Sequence, residues 1–170
     1  MTNLGVNFAQ MREEFNEDRY RPRYHFSPPK AQLKDPCGPL FWQGNYHLFY
    51  GTNPYGAYDD TSRAHWGHAV SKDLIYWEDW PMALAPTPGG PDSRGCFSGG
   101  SIIWNDTPTL FYYGNPDGIC IATSVDGLQT WQKHPQNPLI PHYPNENPRV
   151  FDPCVWKEGD VWYCLSGGRV

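Results

Sequence analysis

Two aspartates that precede prolines are the residues of this sequence best suited to chemistry. Asp35-Pro36 and Asp152-Pro153 lie 117 positions apart, and Phe97-Ser98-Gly99 stands between them. An isolated Asp-Pro is usually a turn, in which the Asp accepts backbone hydrogen bonds and the Pro fixes φ. Two aspartates at equivalent positions of a repeated fold could instead act together in one site, for example with one of them as a nucleophile. The chemistry therefore depends on whether the fold makes the two aspartates converge.

An internal repeat indicates that the fold brings the two aspartates together. Residues 42–50 resemble residues 104–112, and in both copies Trp, Leu-Phe-Tyr and a following Asn-Pro recur at an offset of 62. A third copy is visible over residues 156–163. Each copy has the pattern of two β-strands joined by a polar turn. After the first two copies, Ser-x-Asp and a Trp recur in residues 71–77 and 124–131. An all-β repeat of this length predicts the blades of a β-propeller.

The composition agrees with an all-β class. Aromatic residues make up 16% of the 170 positions, and there are 17 Gly and 18 Pro, which disfavour long helices. We expect residues 1–23 to be a polar lead-in with a short helical turn in residues 9–20. Residues 24–170 are then a partial propeller that contains about the first three blades.

In a propeller, the innermost strand of each blade lines the central axis. The starts of successive repeats should therefore meet in one channel. This places Asp35 and Asp152 together, with Ser98 beside them.

Several classes of partner are excluded by charge and hydropathy. The net charge is −5 without a basic stripe, which argues against nucleic acid. No apolar stretch approaches the roughly 20 residues that span a bilayer, which argues against a membrane. Met1 to Gln10 lack the pattern of a secretory signal, so a cytoplasmic location is expected if Met1 is the native start.

No metal or cofactor is expected. Five cysteines are widely spaced and form no Cys-x-x-Cys pair, which indicates scattered buried thiols. His65 and His68 should point to opposite faces of a strand, so they are a poor metal pair.

Ordered motifs in this chain resemble those of glycoside hydrolase family 32, the invertases, inulinases and levanases. The segment from His25-Phe26 to Asp35-Pro36-Cys37-Gly38 is similar to the family's opening signature, His-Phe-x-Pro followed by Trp-Met-Asn-Asp-Pro-Asn-Gly. Further matches follow in the family's order, and they are residues 46–50 with Asn53-Pro54, residues 65–74 with Trp77-Glu78, residues 97–101, and Phe151-Asp152-Pro153.

The resemblance implies a five-bladed propeller that acts on β-fructofuranosides with retention of configuration. Sucrose or a fructo-oligosaccharide is the small carbohydrate partner that it implies. If the roles of the family's motif residues apply to the matching positions here, Asp35 is the nucleophile and Asp152 stabilises the transition state through the sugar hydroxyls. The residues that would contact the sugar are Lys34, Trp66, Phe97 and Ser98.

Three departures from the family pattern bear on the identity of the sugar. Lys34 replaces an Asn and changes a sugar contact, Gly51 replaces a Gln, and Phe151 replaces the Arg of Arg-Asp-Pro. Phe151 removes a bidentate donor to sugar hydroxyls, and Arg149 could substitute for it only through a backbone bulge. A related propeller glycosidase that acts on another furanoside, such as an arabinoside, is therefore an alternative.

The general acid that the resemblance implies is a Glu in a Glu-Cys motif of the next blade. The only Glu after Asp152 is Glu158, in a Lys-Glu-Gly-Asp turn. Protonation of the leaving group typically contributes about 10²–10⁴-fold to the rate, so the 170 residues alone should be nearly inactive. We interpret the chain as a truncated fragment. A non-catalytic carbohydrate-binding propeller is the alternative from a different class.

Overall fold

The structure is a computed structural model that describes residues 8–22, 24–29, 33–54, 64–142 and 149–169. Residues 1–7 and 23 of the expected lead-in lie outside the described residues. The described part contains the short helix α1 (Phe8–Glu13) and otherwise only β-strands. These are β1 (Pro36–Trp42), β2 (Asn45–Thr52), β3 (His65–Ser71), β4 (Glu78–Leu84), β5 (Gly95–Trp104), β6 (Thr107–Asn115), β7 (Gly118–Thr123), β8 (Gln132–Lys133), β9 (Ile140–Pro141), β10 (Arg149–Glu158) and β11 (Val161–Arg169).

The strands form three antiparallel sheets in chain order. The first is β1-β2-β3-β4, the second is β5-β6-β7-β8 with β9 also paired to β7, and the third is the hairpin β10-β11. We call them blades 1, 2 and 3. Each repeat found in the sequence is the hairpin that starts a blade, so the prediction of successive blades is confirmed. The first strands β1 and β10 both pack against β5, which brings the three blade starts together.

The Ser-x-Asp element is the turn before the outermost strand of a blade. In blade 1 the Ser71 hydroxyl accepts hydrogen bonds from the backbone N–H groups of Asp73 (3.2 Å) and Leu74 (2.8 Å). In blade 2 the Ser124 hydroxyl accepts one from the N–H of Leu128 at 3.0 Å. Side-chain acceptors of this kind replace the backbone partners that a tight turn lacks. The sequence repeat therefore encodes turn geometry.

Aromatic side chains fill the space between blades 1 and 2. Phe49, Trp66 and Tyr112 have no exposed surface. Phe49 meets Trp131 of blade 2 edge-on, with ring centroids 5.4 Å apart, and Trp66 meets Tyr112 at 6.1 Å. Burying such a side chain contributes about 1.5–3 kcal/mol, so this interface holds the two blades together.

A buried carboxylate fixes the connection from blade 1 to blade 2. Asp92 has no exposed surface and accepts hydrogen bonds from the Tyr112 hydroxyl (2.8 Å), the Thr87 N–H (2.9 Å) and the Lys133 ammonium. Burial alone would raise the pKa of Asp92, but the Lys133 ammonium and the hydrogen bonds from Thr87 and Tyr112 together outweigh it, and the pKa is lowered. The negative charge of Asp92 can be buried because the Lys133 ammonium pairs with it.

The lead-in covers the face of blade 1 that points away from blade 2. Tyr50 follows Phe49 on β2 and so points to the opposite face, where Phe26 packs on it at 4.8 Å. On the same side, Arg12 of α1 forms an ion pair with Asp79 of β4 and donates to the Ser27 carbonyl oxygen at 2.9 Å. The helical turn expected in residues 9–20 corresponds to α1.

The cysteines divide into two groups. Cys37, Cys96 and Cys120 are buried, as expected, whereas Cys154 and Cys164 are exposed, and all five are free. The two exposed thiols lie on β10 and β11, a two-stranded sheet without further strands among the described residues. The expectation of buried thiols is therefore wrong for this hairpin.

Candidate active site

A β-bulge interrupts the first strand of each blade where the blades meet. The register breaks between Cys37 and Leu40 in β1, between Cys96 and Gly99 in β5, and between Phe151 and Cys154 in β10. A bulge re-aims side chains and is common beside active sites. Ser98 and Asp152 lie inside two of the bulges, and Asp35 immediately precedes the strand that contains the third.

Two backbone conformations support this geometry. Gly38 has a φ of 59°, and a Cβ there would lie 2.8 Å from the Ser101 backbone nitrogen, so only glycine fits. Asp152 has a φ of 52°, a left-handed conformation that costs a non-glycine residue about 1–3 kcal/mol. Backbone strain of this kind concentrates at functional sites, where it fixes the direction of a side chain.

Hydrogen bonds fix the backbone of Asp35, whereas its side chain is accessible to solvent. Its carbonyl oxygen accepts hydrogen bonds from the Gly51 N–H at 3.0 Å and from the Cys37 thiol at 3.3 Å. Its Oδ2 accepts a 2.5 Å hydrogen bond from the Ser98 hydroxyl, while the residue as a whole is exposed. A carboxylate that is oriented but still accessible is what a nucleophile requires.

Asp152 lies close enough to Asp35 to sense its charge. Partial burial raises the pKa of Asp152, and the negative charge of Asp35 raises it further. The backbone of β10 also approaches β5, because a Cβ on Gly100 would lie 3.7 Å from the Pro153 carbonyl oxygen. The convergence of two carboxylates expected from the repeat is therefore present in the structure.

Trp66 was expected to contact the sugar, but it is buried behind the site. Its ring has no exposed surface, so it does not line the site. Instead its indole N–H donates to the Phe97 carbonyl oxygen at 3.0 Å and supports the bulge beside Ser98. Both faces of β3 are covered, which explains why this Trp is inside. Phe97 itself is half-buried and remains at the edge of the site.

Lys34 is half-buried and paired to blade 1 through its backbone. Its N–H donates to the Gly51 carbonyl oxygen at 2.8 Å. This bond and the one from the Gly51 N–H to Asp35 extend the β1–β2 pairing to the candidate nucleophile. Lys34 therefore stands directly beside Asp35 at the edge of the site.

Phe151 packs into an aromatic row beside the site. Its ring centroid is 6.3 Å from that of Tyr113, which in turn is 5.8 Å from Phe97. The β10–β11 register is regular from Arg149 to Phe151, and the bulge begins only after Phe151. No register shift therefore separates Arg149 from Phe151.

Two residues beside the site were missed in the sequence. Tyr113 links Phe97 and Phe151, and it follows the repeated Leu-Phe-Tyr at the position that Gly51 holds in blade 1. Cys37 is 1% exposed and contacts Asp35 through its thiol, whose pKa burial raises to about 11. The offset of 62 was the signal for Tyr113, and the change from Asn in the opening signature was the signal for Cys37.

Glu158 and Glu78 both lie far from Asp35, so neither is placed to act as its general acid. Glu158 is exposed and accepts a 3.0 Å hydrogen bond from the Trp156 indole. It lies six residues beyond Asp152 on β10, about 20 Å along an extended strand. Glu78 lies on β4, three strands and about 14 Å across the sheet from β1.

The described residues contain no group of three or more His, Cys, Asp or Glu side chains arranged to hold a metal ion. In the same part of the chain, no helix is long and apolar enough to cross a bilayer.

A bulged inner strand in each blade and a carboxylate pair at their junction define a β-propeller of the glycoside hydrolase class. The model of the glycosyl hydrolases family 32 N-terminal domain matches residues 25–170. The chain therefore belongs to glycosyl hydrolase family 32.

Curated relatives and solved structures agree with this assignment. The chain is 38% identical to the sucrose-6-phosphate hydrolase of Zymomonas mobilis, over 87% of this chain and 30% of the relative, and 37% identical to the levanase of Bacillus subtilis, over 92% and 24%. Fructan 1-exohydrolase IIa from Cichorium intybus superposes with a TM-score of 0.78 and 38% identity, covering 90% of this chain and 30% of that one. The chain thus spans 24–30% of the length of these relatives.

Proposed function

We propose that the protein containing this chain hydrolyses β-fructofuranosides such as sucrose or fructans with retention of configuration. Asp35 is the nucleophile and Asp152 stabilises the transition state. The observation that carries the proposal is the meeting of Asp35, Ser98 and Asp152 at the bulges of three successive blades. The names of the relatives, which include sucrose-6-phosphate hydrolases, a levanase and β-fructofuranosidases, support the substrate class.

The chemistry uses the two aspartates differently. Oδ of Asp35 attacks the anomeric carbon, the bond from that carbon to the leaving oxygen breaks, and the leaving oxygen takes a proton from a carboxylic acid outside the described residues. Water then attacks the same carbon and releases Asp35. Asp152 accepts hydrogen bonds from sugar hydroxyls, and these bonds strengthen as positive charge develops on the ring. Ser98 holds one oxygen of Asp35 so that the other points at the sugar.

The proposed sugar contacts are the part of the site that departs from the family pattern. Phe97 and Ser98 border the furanose, Lys34 contacts it from blade 1, and Trp66 acts from behind by holding the Phe97 carbonyl. Phe151 occupies the position at which the family has the Arg of Arg-Asp-Pro. Because this substitution removes a donor to sugar hydroxyls, hydrolysis of an arabinoside or another furanoside is a second candidate function. The cytoplasmic location stays a prediction from Met1 to Gln10.

The test is a substrate panel with the product of the whole coding sequence. Sucrose, levan and inulin should be hydrolysed, and 4-nitrophenyl α-L-arabinofuranoside should not. Asp35→Asn should lower the rate by at least about 10⁴-fold, because the nucleophile is lost. Asp106→Asn, in the exposed β5–β6 turn, is the matched control and should keep the wild-type rate.

Proton NMR during the first turnovers supplies a second readout. A retaining enzyme releases β-fructofuranose first, whereas an inverting one releases the α-anomer. Release of the α-anomer, or undiminished turnover in Asp35→Asn, would remove Asp35 from the nucleophile role. Turnover of the arabinoside alone would select the second candidate, and sugar binding without any turnover would select a non-catalytic propeller.

A further inference from the structure

A cleft of about 370 Å³ separates the lead-in from the β3–β4 turn. One wall is formed by α1 and the turn after it, a second by the segment that leads to β1, and a third by Ile75, Tyr76 and Trp77. Its volume falls within the roughly 300–1,000 Å³ that ligand sites usually have. The cleft therefore has the size of a binding site for a small molecule or for a short part of a longer one.

The cleft lies at the opposite end of blade 1 from the candidate nucleophile. Gly51, whose N–H donates to the Asp35 carbonyl oxygen, pairs with Trp66 near the start of β3. The turn that lines the cleft follows Ser71, five residues or about 17 Å further along the same strand. A group bound in the cleft is therefore not the sugar that Asp35 attacks.

Two aromatic rings form a fixed inner wall of the cleft. The ring centroids of Phe26 and Trp77 are 5.6 Å apart, and Phe26 also packs on Tyr50 at 4.8 Å. The Trp77 indole N–H donates to the Leu74 carbonyl oxygen at 3.2 Å, which holds its ring in place. One face of a sugar ring presents mainly C–H groups, and such a face packs well on aromatic rings that are already ordered.

The edge of this wall is apolar and exposed on a rigid turn. Oδ1 of Asp73 accepts hydrogen bonds from the N–H groups of Ile75 and Tyr76, both at 2.9 Å, yet the two side chains are 48% and 73% exposed. Blade 2 has Gln129-Thr130 at the equivalent positions before its Trp. The turn itself therefore does not require apolar residues here, and their exposure indicates a contact surface.

The polar groups of the cleft include both a donor and an acceptor. The Arg21 guanidinium lies over the Phe15 ring, 5.7 Å from its centroid, and donates to the Pro28 carbonyl oxygen. No ion pair joins Arg21 to a carboxylate in the part of the chain that the structure describes, so further N–H groups remain for a ligand. The exposed Asp18 also lines the cleft. A hydroxyl accepts from Arg21 and donates to Asp18, whereas an anion is repelled by Asp18.

We propose that this cleft is a second carbohydrate-binding site, which holds one or two units of a neutral glycan chain. Tyr76 and Trp77 stack on the sugar, and Arg21 and Asp18 bind its hydroxyls. The site itself does not depend on the reaction, whereas its assignment to the substrate chain rests on the proposed function. Because of the distance to Asp35, a disaccharide in the active site does not reach the cleft, so the cleft acts on long chains.

The test is glycan binding to the product of the whole coding sequence with Asp35→Asn, so that nothing is hydrolysed. Affinity electrophoresis with levan, inulin and dextran gives the dissociation constants. Tyr76→Ala should weaken binding by about fivefold or more, because a stacking surface is lost. Ile75→Gln combined with Tyr76→Thr gives this turn the residues of blade 2 and should have the same effect without disturbing the fold.

Tyr20→Ala is the matched control. Tyr20 is 80% exposed in the same lead-in but does not line the cleft, so its removal should leave binding unchanged. A loss in Tyr76→Ala that is confined to levan and inulin assigns the site to the substrate chain, and an equal loss with dextran assigns it to neutral glycans in general. Equal binding by Tyr76→Ala and Tyr20→Ala would overturn the proposal. Calorimetric binding of inorganic phosphate that Arg21→Gln abolishes, without any effect of Tyr76 on glycans, would identify an anion site instead.

Steady-state kinetics with Asp35 intact supplies a second readout. Tyr76→Ala should raise KM for levan about fivefold more than KM for sucrose, because only the long chain reaches the cleft. Equal changes for both substrates would mean that Tyr76 acts through the fold, which contradicts the proposal. Absence of hydrolysis together with glycan binding that depends on Tyr76 would overturn the proposed reaction while leaving the second site.

Discussion

The Ser98 hydroxyl donates a 2.5 Å hydrogen bond to Oδ2 of Asp35, across 63 positions of sequence and from one blade to the next. This contact depends on two separate strands. The β5 bulge turns Ser98 toward blade 1, and the backbone of Asp35 is fixed by Gly51 and Cys37. The orientation of the candidate nucleophile is therefore a property of the junction between blades, and neither blade supplies it alone.

Removal of the Ser98 hydroxyl should lower kcat more than it changes KM. Ser98→Ala frees one oxygen of Asp35, and we expect kcat to fall by about tenfold, the value of one hydrogen bond to a charged group. Steady-state kinetics of the whole protein on sucrose measures this. Ser101→Ala, on the same strand, removes a hydroxyl that donates to the Pro39 carbonyl oxygen and should keep the wild-type kcat. Equal losses in the two variants would contradict an orienting role for Ser98.

The raised pKa of Asp152 should fall when Asp35 loses its charge. Because the Asp35 carboxylate is one of the two causes of the shift, Asp35→Asn leaves only the effect of partial burial. NMR titration of the Asp152 side-chain carbonyl in the 170-residue chain should show a lower midpoint in Asp35→Asn than in wild type. Asp106→Asn should leave the midpoint in place. An unchanged midpoint in Asp35→Asn would mean that the two carboxylates do not interact.

The repeats were sufficient to predict the blades and the convergence of the two aspartates. Trp, Leu-Phe-Tyr and Ser-x-Asp recur because hairpins and tight turns need them locally, and local requirements are visible in sequence. The position of the Trp66 ring could not be predicted in this way. Its motif lies beside the site, but whether the ring lines the site or supports it from behind depends on how fully both faces of β3 are covered, which is a property of the assembled blades.

The details of the site depend in the same way on contacts between segments. The left-handed backbone of Asp152 arises where β10 pairs with β11 through a bulge. The close approach of Gly51 to the Lys34 Cβ arises where the segment before β1 pairs with the end of β2. Neither is encoded by a periodic pattern.

Gly99 should tolerate no side chain, whereas its neighbour Gly100 should. A Cβ on Gly99 would lie 1.9 Å from the Phe111 carbonyl oxygen, and one on Gly100 would lie 3.7 Å from its nearest neighbour. Gly99→Ala forces β5 and β6 apart, and we expect a loss of about 2–3 kcal/mol in the free energy of unfolding. Gly100→Ala should change it by less than about 1 kcal/mol. Urea unfolding of both variants measures the difference, and equal midpoints would show that the pairing at Gly99 is looser than described.

A buried histidine pair should make the chain less stable in acid. His68 has no exposed surface, its Nε2 lies 2.9 Å from Nδ1 of His47, and its ring packs against Phe49 at 4.4 Å and Trp80 at 5.3 Å. Burial, together with the proximity of His47, lowers the pKa of His68 to about 3. The folded chain therefore keeps His68 neutral at pH values at which the unfolded chain protonates it.

The direction of this change in stability follows from how many protons the folded and unfolded states bind. Above about pH 6.5, His68 is neutral in both states and the contribution to stability is complete. As the pH falls from about 6.5 toward 3, only the unfolded state takes up the proton, so the free energy of unfolding decreases by up to about 1.4 kcal/mol per pH unit for this group. Urea unfolding at several pH values between 7.5 and 4.5 should show a shallower decrease in His68→Gln than in wild type. His25→Gln removes an exposed imidazole and should keep the wild-type slope, whereas equal slopes in all three proteins would show that His68 is already protonated in the folded state.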